Sequence, residues 1–133
     1  MEYIKRVTDV IVNKKLQGLG GLMIIGPKWC GKTSTAEQFS NSSLYLDDVQ
    51  NGGNHIQIAG LNPTLLMEGE TPRLIDEWQL APILFDIARR EIDKRNASGQ
   101  FIFTGSATPP MDKTRHTGTG RFAYVRMYPM SLY

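Results

Sequence analysis

The eight residues Gly26-Pro27-Lys28-Trp29-Cys30-Gly31-Lys32-Thr33 constrain the chain more than any other stretch. They fit G-x-x-x-x-G-K-[ST], a glycine-rich loop whose backbone N–H groups wrap nucleotide phosphates. Such a loop needs a strand before it and a helix after it. Leu22-Met23-Ile24-Ile25 predicts a short buried strand, and Lys32 to Phe39 predicts the start of a helix. A helix N-terminus offers unpaired N–H groups and the positive end of its dipole, so an anion is favoured there. Gly26 through Thr33, with Ser34 after it, is therefore the candidate nucleotide-binding segment. Lys32 is expected to reach the β- and γ-phosphates, and Thr33 to place its hydroxyl on Mg²⁺. Trp29 reads as a loop residue packing on the surface, and Cys30 is assigned no chemistry.

Length and composition bound the setting. At 133 residues and 41% hydrophobic, the chain predicts one globular domain, residues 1–133, with a modest core. A net charge of +2 gives no electrostatic case for nucleic acid as an obligatory partner, and the local clusters Arg89-Arg90 and Lys113 to His116 read as solvated faces. One cysteine excludes an internal disulfide and favours a reducing compartment. The first ten residues lack the apolar core of a signal peptide, and no apolar run nears the length of about 18 that spans a membrane. A cytoplasmic location is expected. The apolar ending, Met127 to Tyr133, suggests a fragment of a longer protein.

Taken in order, Ile4, Val7, Ile11, Val12 and Leu16 lie near helical spacing over residues 2–17, and Gly18, Gly20 and Gly21 stop that helix. Leu44-Tyr45-Leu46 predicts a second strand running into Asp47-Asp48, followed by a flexible connection from Val49 to Asn54. Asn62 as N-cap with Pro63 at the first helical position predicts one or two turns over Thr64 to Glu68. Arg73 to Asp76 is a third strand. Trp78 to Arg95 predicts one helix with Leu80, Ile83, Leu84, Ile87, Ala88 and Ile92 on a single face. Phe101 to Thr104 and Phe122 to Val125 complete five strands. Strands alternating with helices predict an α/β domain, its mostly parallel sheet covered on both faces.

Three further places carry chemistry. Leu74-Ile75-Asp76-Glu77 is a short apolar strand ending in two acids. There Asp76 suits Mg²⁺ and Glu77 suits accepting a proton from attacking water, although both acids equally suit the dipole of a following helix. Thr104 and Ser106 end the fourth strand, where an open parallel sheet binds ligands. Either could sense a γ-phosphate, or both could satisfy turn hydrogen bonds. Arg121, entering the fifth strand, suits charge stabilisation on a transferring phosphoryl group within this subunit or across to a neighbour, with Arg115 and Arg126 as competitors.

The order of these pieces resembles a known family. Gly26 to Thr33, Leu74 to Glu77, Phe103-Thr104-Gly105-Ser106, and Gly120-Arg121 through Tyr128-Pro129-Met130-Ser131 are similar to the prokaryotic AAA-type ATPases, in the additional-strand, catalytic-glutamate division of phosphate-loop NTPases. More narrowly they resemble a bacterial and archaeal branch in which this domain precedes a C-terminal nuclease-like domain. The resemblance implies a three-layer sandwich with sheet order 5-1-4-3-2, and ATP and Mg²⁺ as cofactors. It places Gly26, Gly31, Lys32 and Thr33 in the Walker A motif, Asp76 and Glu77 in Walker B, and Thr104 or Ser106 at the sensor position. It puts Arg121 at an arginine finger that joins subunits of a homo-oligomer, and adenine contacts near Lys5 to Asp9. Relatives continue past Pro-x-Ser, so a DNA or protein partner would act through a region beyond Tyr133.

The residues lead first to Mg²⁺-dependent ATP hydrolysis. A small-molecule or nucleotide kinase is the alternative enzyme, with Asp47-Asp48 handling an acceptor and the arginine-bearing 105–120 segment as a lid. A nucleotide-gated module with little hydrolysis is the non-enzymatic alternative. A GTPase is disfavoured, because no Asn-Lys-x-Asp lies downstream of the phosphate loop.

Overall fold

A computed structural model describes residues 7–27, 30–48, 52–106 and 122–128. In chain order these form α1 (Val7–Gly18), β1 (Gly21–Ile25), α2 (Lys32–Phe39), β2 (Ser42–Tyr45), α3 (Gly52–Leu61), a 3-10 segment (Pro63–Met67), β3 (Arg73–Asp76), a 3-10 turn (Trp78–Leu80), α4 (Ile83–Arg95), β4 (Phe101–Gly105) and β5 (Phe122–Arg126). The strands make one sheet in the order β2-β3-β4-β1-β5. Every pairing in it is parallel. The expected order 5-1-4-3-2 is the same sheet read from its other edge.

The sequence of β1 explains its place. All five residues of Gly21–Ile25 are buried, as a strand covered on both faces requires. Side chains alternate between two apolar clusters. Met23, Ile25, Ile75, Phe101, Phe103 and Phe122 face one side, under residues from α3, the Pro63–Met67 segment and α4. Leu22, Ile24, Leu74, Ile102, Ala123 and Val125 face the other, under Val12 and Leu16 of α1 and Ala36 of α2. These are the two outer layers of the three-layer sandwich. On α4, Leu84, Ala88 and Ile92 are buried at intervals of four residues, the inward stripe of a surface helix. Asn96 closes that helix in the left-handed region at φ 52°, its N–H donating to the Ile92 carbonyl at 2.8 Å.

The structure corrects several expectations. The polar connection expected up to Asn54 gives way at Gly52 to α3, a ten-residue helix held by tertiary contact despite two glycines at its start. Propensity alone argues against such a start, and packing overrides it. The turns after Pro63 are 3-10 rather than α, and Asn62 makes no side-chain capping bond. The single helix expected over Trp78 to Arg95 is two elements. Pro82 disfavours the α conformation at Ala81, so the short Trp78–Leu80 turn ends there and α4 begins afresh at Ile83. Leu80 and Ile83 consequently leave the buried stripe and are exposed. β2 is set back to Ser42–Tyr45, with Leu46 buried in the turn beyond it. The start of the first helix before Val7 lies outside the described residues, as do Lys28, Trp29, Arg115, Arg121 and the Pro129-Met130-Ser131 stretch.

Candidate functional site

Parallel strands all end on the same edge of the sheet, and the register aligns those ends. Ile25 lies beside Gly105 on one side and Arg126 on the other, and Asp76 lies beside both Thr104 and Tyr45. The phosphate loop leaves β1 at this edge. Its first turn is fastened to both neighbours: Gly26 N–H donates to the Gly105 carbonyl at 3.1 Å, and Met127 N–H donates to the Ile25 carbonyl at 2.7 Å. Gly26 has no room for a side chain, since a Cβ would stand 2.7 Å from Cys30 Sγ and 2.8 Å from the Met127 carbonyl oxygen. Gly31 enters α2 in the left-handed region at φ 86°, a conformation that only glycine adopts without strain. The first-turn N–H groups of α2 have no acceptor inside the helix and point out of its N-terminus.

Five side chains meet beside that terminus. Thr33 Oγ1 donates to Asp76 Oδ1 at 2.9 Å, joining α2 to the end of β3. The Thr104 hydroxyl from β4 donates to the same oxygen. Asp76 is 5% exposed. Burial pushes its carboxyl above the usual value, the bonds from Thr104 and Thr33 pull it back, and the negative charges of Glu77 and Asp47 raise it further. Lys32, 2% exposed, lies 3.7 Å from Glu77 Oε1, and its Nζ donates to the Pro27 carbonyl at 3.4 Å. Glu77 stands in the left-handed region at φ 59°. That backbone is uncommon for a residue with a side chain, and such strain concentrates at functional sites.

The arrangement separates residues that the sequence left as alternatives. Thr104 is fully buried and committed to Asp76, whereas Ser106 is exposed just past the end of β4. Cys30 is buried against Gly26. Arg126 is exposed at the phosphate-loop end of β5. Two features were not foreseen from sequence: the ion pair between Lys32 and Glu77, and Gln79, whose Nε2 donates to Glu77 Oε2 at 2.7 Å. The signal for Gln79 was Pro82, which ends the turn early and leaves the Gln79 side chain beside Glu77.

The donor chemistry beside α2 suits a hard cation. A threonine hydroxyl and a carboxylate oxygen 2.9 Å apart, at a helix N-terminus that attracts phosphate, are the oxygen ligands Mg²⁺ takes alongside phosphate and water. Among the described residues no cluster of three or more His, Cys, Asp or Glu side chains forms a metal cage. None of the described helices is long and apolar enough to cross a membrane.

Residues 20–133 match the family model described as an AAA domain. No curated protein matches the sequence. Among solved structures, that of C. elegans PCH-2 is similar with a TM-score of 0.46 and 16% identity, over 89% of this chain and 40% of that one. The chain thus spans under half the length of that structure, and a likeness of this size adds nothing to the sheet order itself.

Proposed function

The chain belongs to the AAA-domain family, a nucleotide-binding, ATPase-like domain, and from that premise we propose that it binds ATP with Mg²⁺ and hydrolyses it. The observation that supports this most is the meeting of Lys32, Thr33, Asp76 and Glu77 at one helix N-terminus, drawn from α2 and the end of β3. The loop N–H groups and Lys32 take the β- and γ-phosphates. Thr33 and Asp76 would hold Mg²⁺, which would supply positive charge against the phosphates. Thr104 fixes the Asp76 carboxylate by its hydrogen bond, and Ser106, exposed past the end of β4, is the hydroxyl left to sense the γ-phosphate. Glu77 orients the attacking water and accepts its proton. Lys32 lies 3.7 Å from Glu77 Oε1, so a phosphate that draws the lysine competes with the acid for it.

Arg121 as a finger supplied across a homo-oligomer, and a DNA or protein partner acting through a nuclease-like region beyond Tyr133, are part of the same proposal and rest on family resemblance. So does the prokaryotic setting, whereas the cytoplasmic location rests on the single cysteine and on first residues that lack the apolar core of a signal peptide. One observation favours the kinase alternative: Asp47, exposed past β2, lies close enough to Asp76 to raise its carboxyl. Phosphate released to water from ATP alone, without an acceptor, decides for hydrolysis. With Glu77→Gln, release is expected to fall by about 100-fold or more while ATP binding persists. An unchanged rate in that variant would overturn the assignment of Glu77.

A further inference from the structure

Glu77 has few means of holding its own carboxylate. Its backbone is in the left-handed region, and it is tied down by the turn that follows, where Leu80 N–H donates to the Glu77 carbonyl at 3.1 Å. The side chain makes an ion pair with Lys32 at 3.7 Å and accepts from Gln79 Nε2 at 2.7 Å. Once phosphates recruit Lys32, Gln79 is the contact that stays with the acid. Gln79 is itself well placed. It follows Trp78, which is buried against Phe85 with ring centroids 5.7 Å apart. Its Nε2 also lies 3.5 Å from Ser106 Oγ. Its Oε1 lies over Gly105, so close that a Cβ there would come within 2.4 Å, and this oxygen is buried without a hydrogen-bond partner. Reversing the amide would turn Oε1 onto the Glu77 carboxylate, so the negative charge selects the orientation that leaves Oε1 unpaired. An orphaned buried acceptor is disfavoured, and native structures retain one where something else requires the geometry.

Resting on the proposed hydrolysis, we infer that Gln79 is a positioning residue: it holds the Glu77 carboxylate on the attacking water after Lys32 has moved to the phosphates, and couples that orientation to Ser106 at the end of β4. Gln79→Met keeps the length of the side chain and its cover over Gly105 but removes the donor. Single-turnover phosphate release from that variant is expected to fall about 10- to 100-fold, the loss of a hydrogen bond to a charged group. The Kd for ATP should stay within about twofold. Gln79→Glu, polar and equally long, lacks the donor too and should be no faster. In a Glu77→Gln background, adding Gln79→Met should cost nothing further, because the two act as a unit. Additive losses would mark a packing role and overturn the assignment. A readout independent of turnover is the Gln79 side-chain amide resonance of nucleotide-free protein, which should shift when Glu77→Gln is introduced. A stationary resonance overturns the hydrogen bond. If the parent hydrolyses ATP, Glu77→Gln abolishes it and Gln79→Met does not slow it, the positioning role fails and the functional reading stands. If the parent releases no phosphate, both fail.

Discussion

The two faces of the sheet are built by different means. Under α3 and α4 the core is aromatic: Phe85 meets Trp78, Phe103 and Phe122 at centroid distances of 5.7, 5.8 and 4.8 Å, and Phe103 meets Phe101 at 6.4 Å. Under α1 and α2 the buried packing is aliphatic, from Val12, Leu16, Leu22, Ile24, Leu74 and Ile102, with Phe39 and Tyr45 at its margin. Helix α2 is only eight residues long, and its buried positions include Lys32 and Thr35 beside Ala36. A helix so short and so polar has little apolar surface to hold it, Ala36 and Phe39 being its contacts with the core. It is held by its ends, through the phosphate loop and the Thr33–Asp76 bond. The lesson is a difference in means: the aromatic face packs ring on ring, and the other face packs aliphatic side chains and carries the helix that bears Lys32 and Thr33.

The largest expected effect tests the heavier face. Phe103→Ala should destabilise the chain by about 3–5 kcal/mol in a denaturant titration, because a fully buried ring that touches Phe85, Phe101 and Phe122 leaves a cavity. A loss below about 1 kcal/mol, typical of a surface substitution, would break the contrast between the faces. Next in size is the response to nucleotide. ATP with Mg²⁺ at 100 times its Kd should stabilise the chain by about 2.7 kcal/mol in thermal unfolding, and Lys32→Ala should lose this. Hydrogen exchange should show the added protection in α2 and the loop, with α4 unchanged. Protection spread evenly over both faces would erase the distinction.

The smallest effect is one of sign. Burial holds the Asp76 carboxyl above its ordinary value of 3.8, so the folded chain binds that proton more tightly than the unfolded one. Stability should therefore fall as pH rises from about the ordinary aspartate value through the raised folded value, then level off. Asp76→Asn keeps an oxygen for both threonine hydroxyls without the charge. Without Mg²⁺ or nucleotide it should be more stable than the parent at neutral pH, and this advantage should vanish on acidification. Parallel pH curves for the two proteins would remove the carboxylate as the source.

Much of this was legible because it rests on local pattern. Leu22 to Ile25 and Arg73 to Asp76 are apolar runs too short for helices, and glycines at fixed spacing mark the loop between β1 and α2. The order of the strands came from family resemblance, since no local rule places β4 between β1 and β3. What stayed hidden depends on tertiary contact. Gly52-Gly53 gives no helix signal, yet α3 begins there because Ala59 finds the core. Thr104 and Ser106 are indistinguishable in sequence, and only the end of β4 at Gly105 separates them: Thr104 lies inside the strand against Asp76, whereas Ser106 lies past it and is exposed. Gln79 was hidden behind a helix that Pro82 does not permit.

One contact at the base of the phosphate loop has a mechanical meaning. The Met127 N–H grips the Ile25 carbonyl, while the Met127 carbonyl fills the space where a side chain on Gly26 would stand. The chain leaving β5 is therefore a lever with its fulcrum against the first residue of the loop. Tension applied at Tyr128 would reach Gly26 through Met127, without passing through a helix.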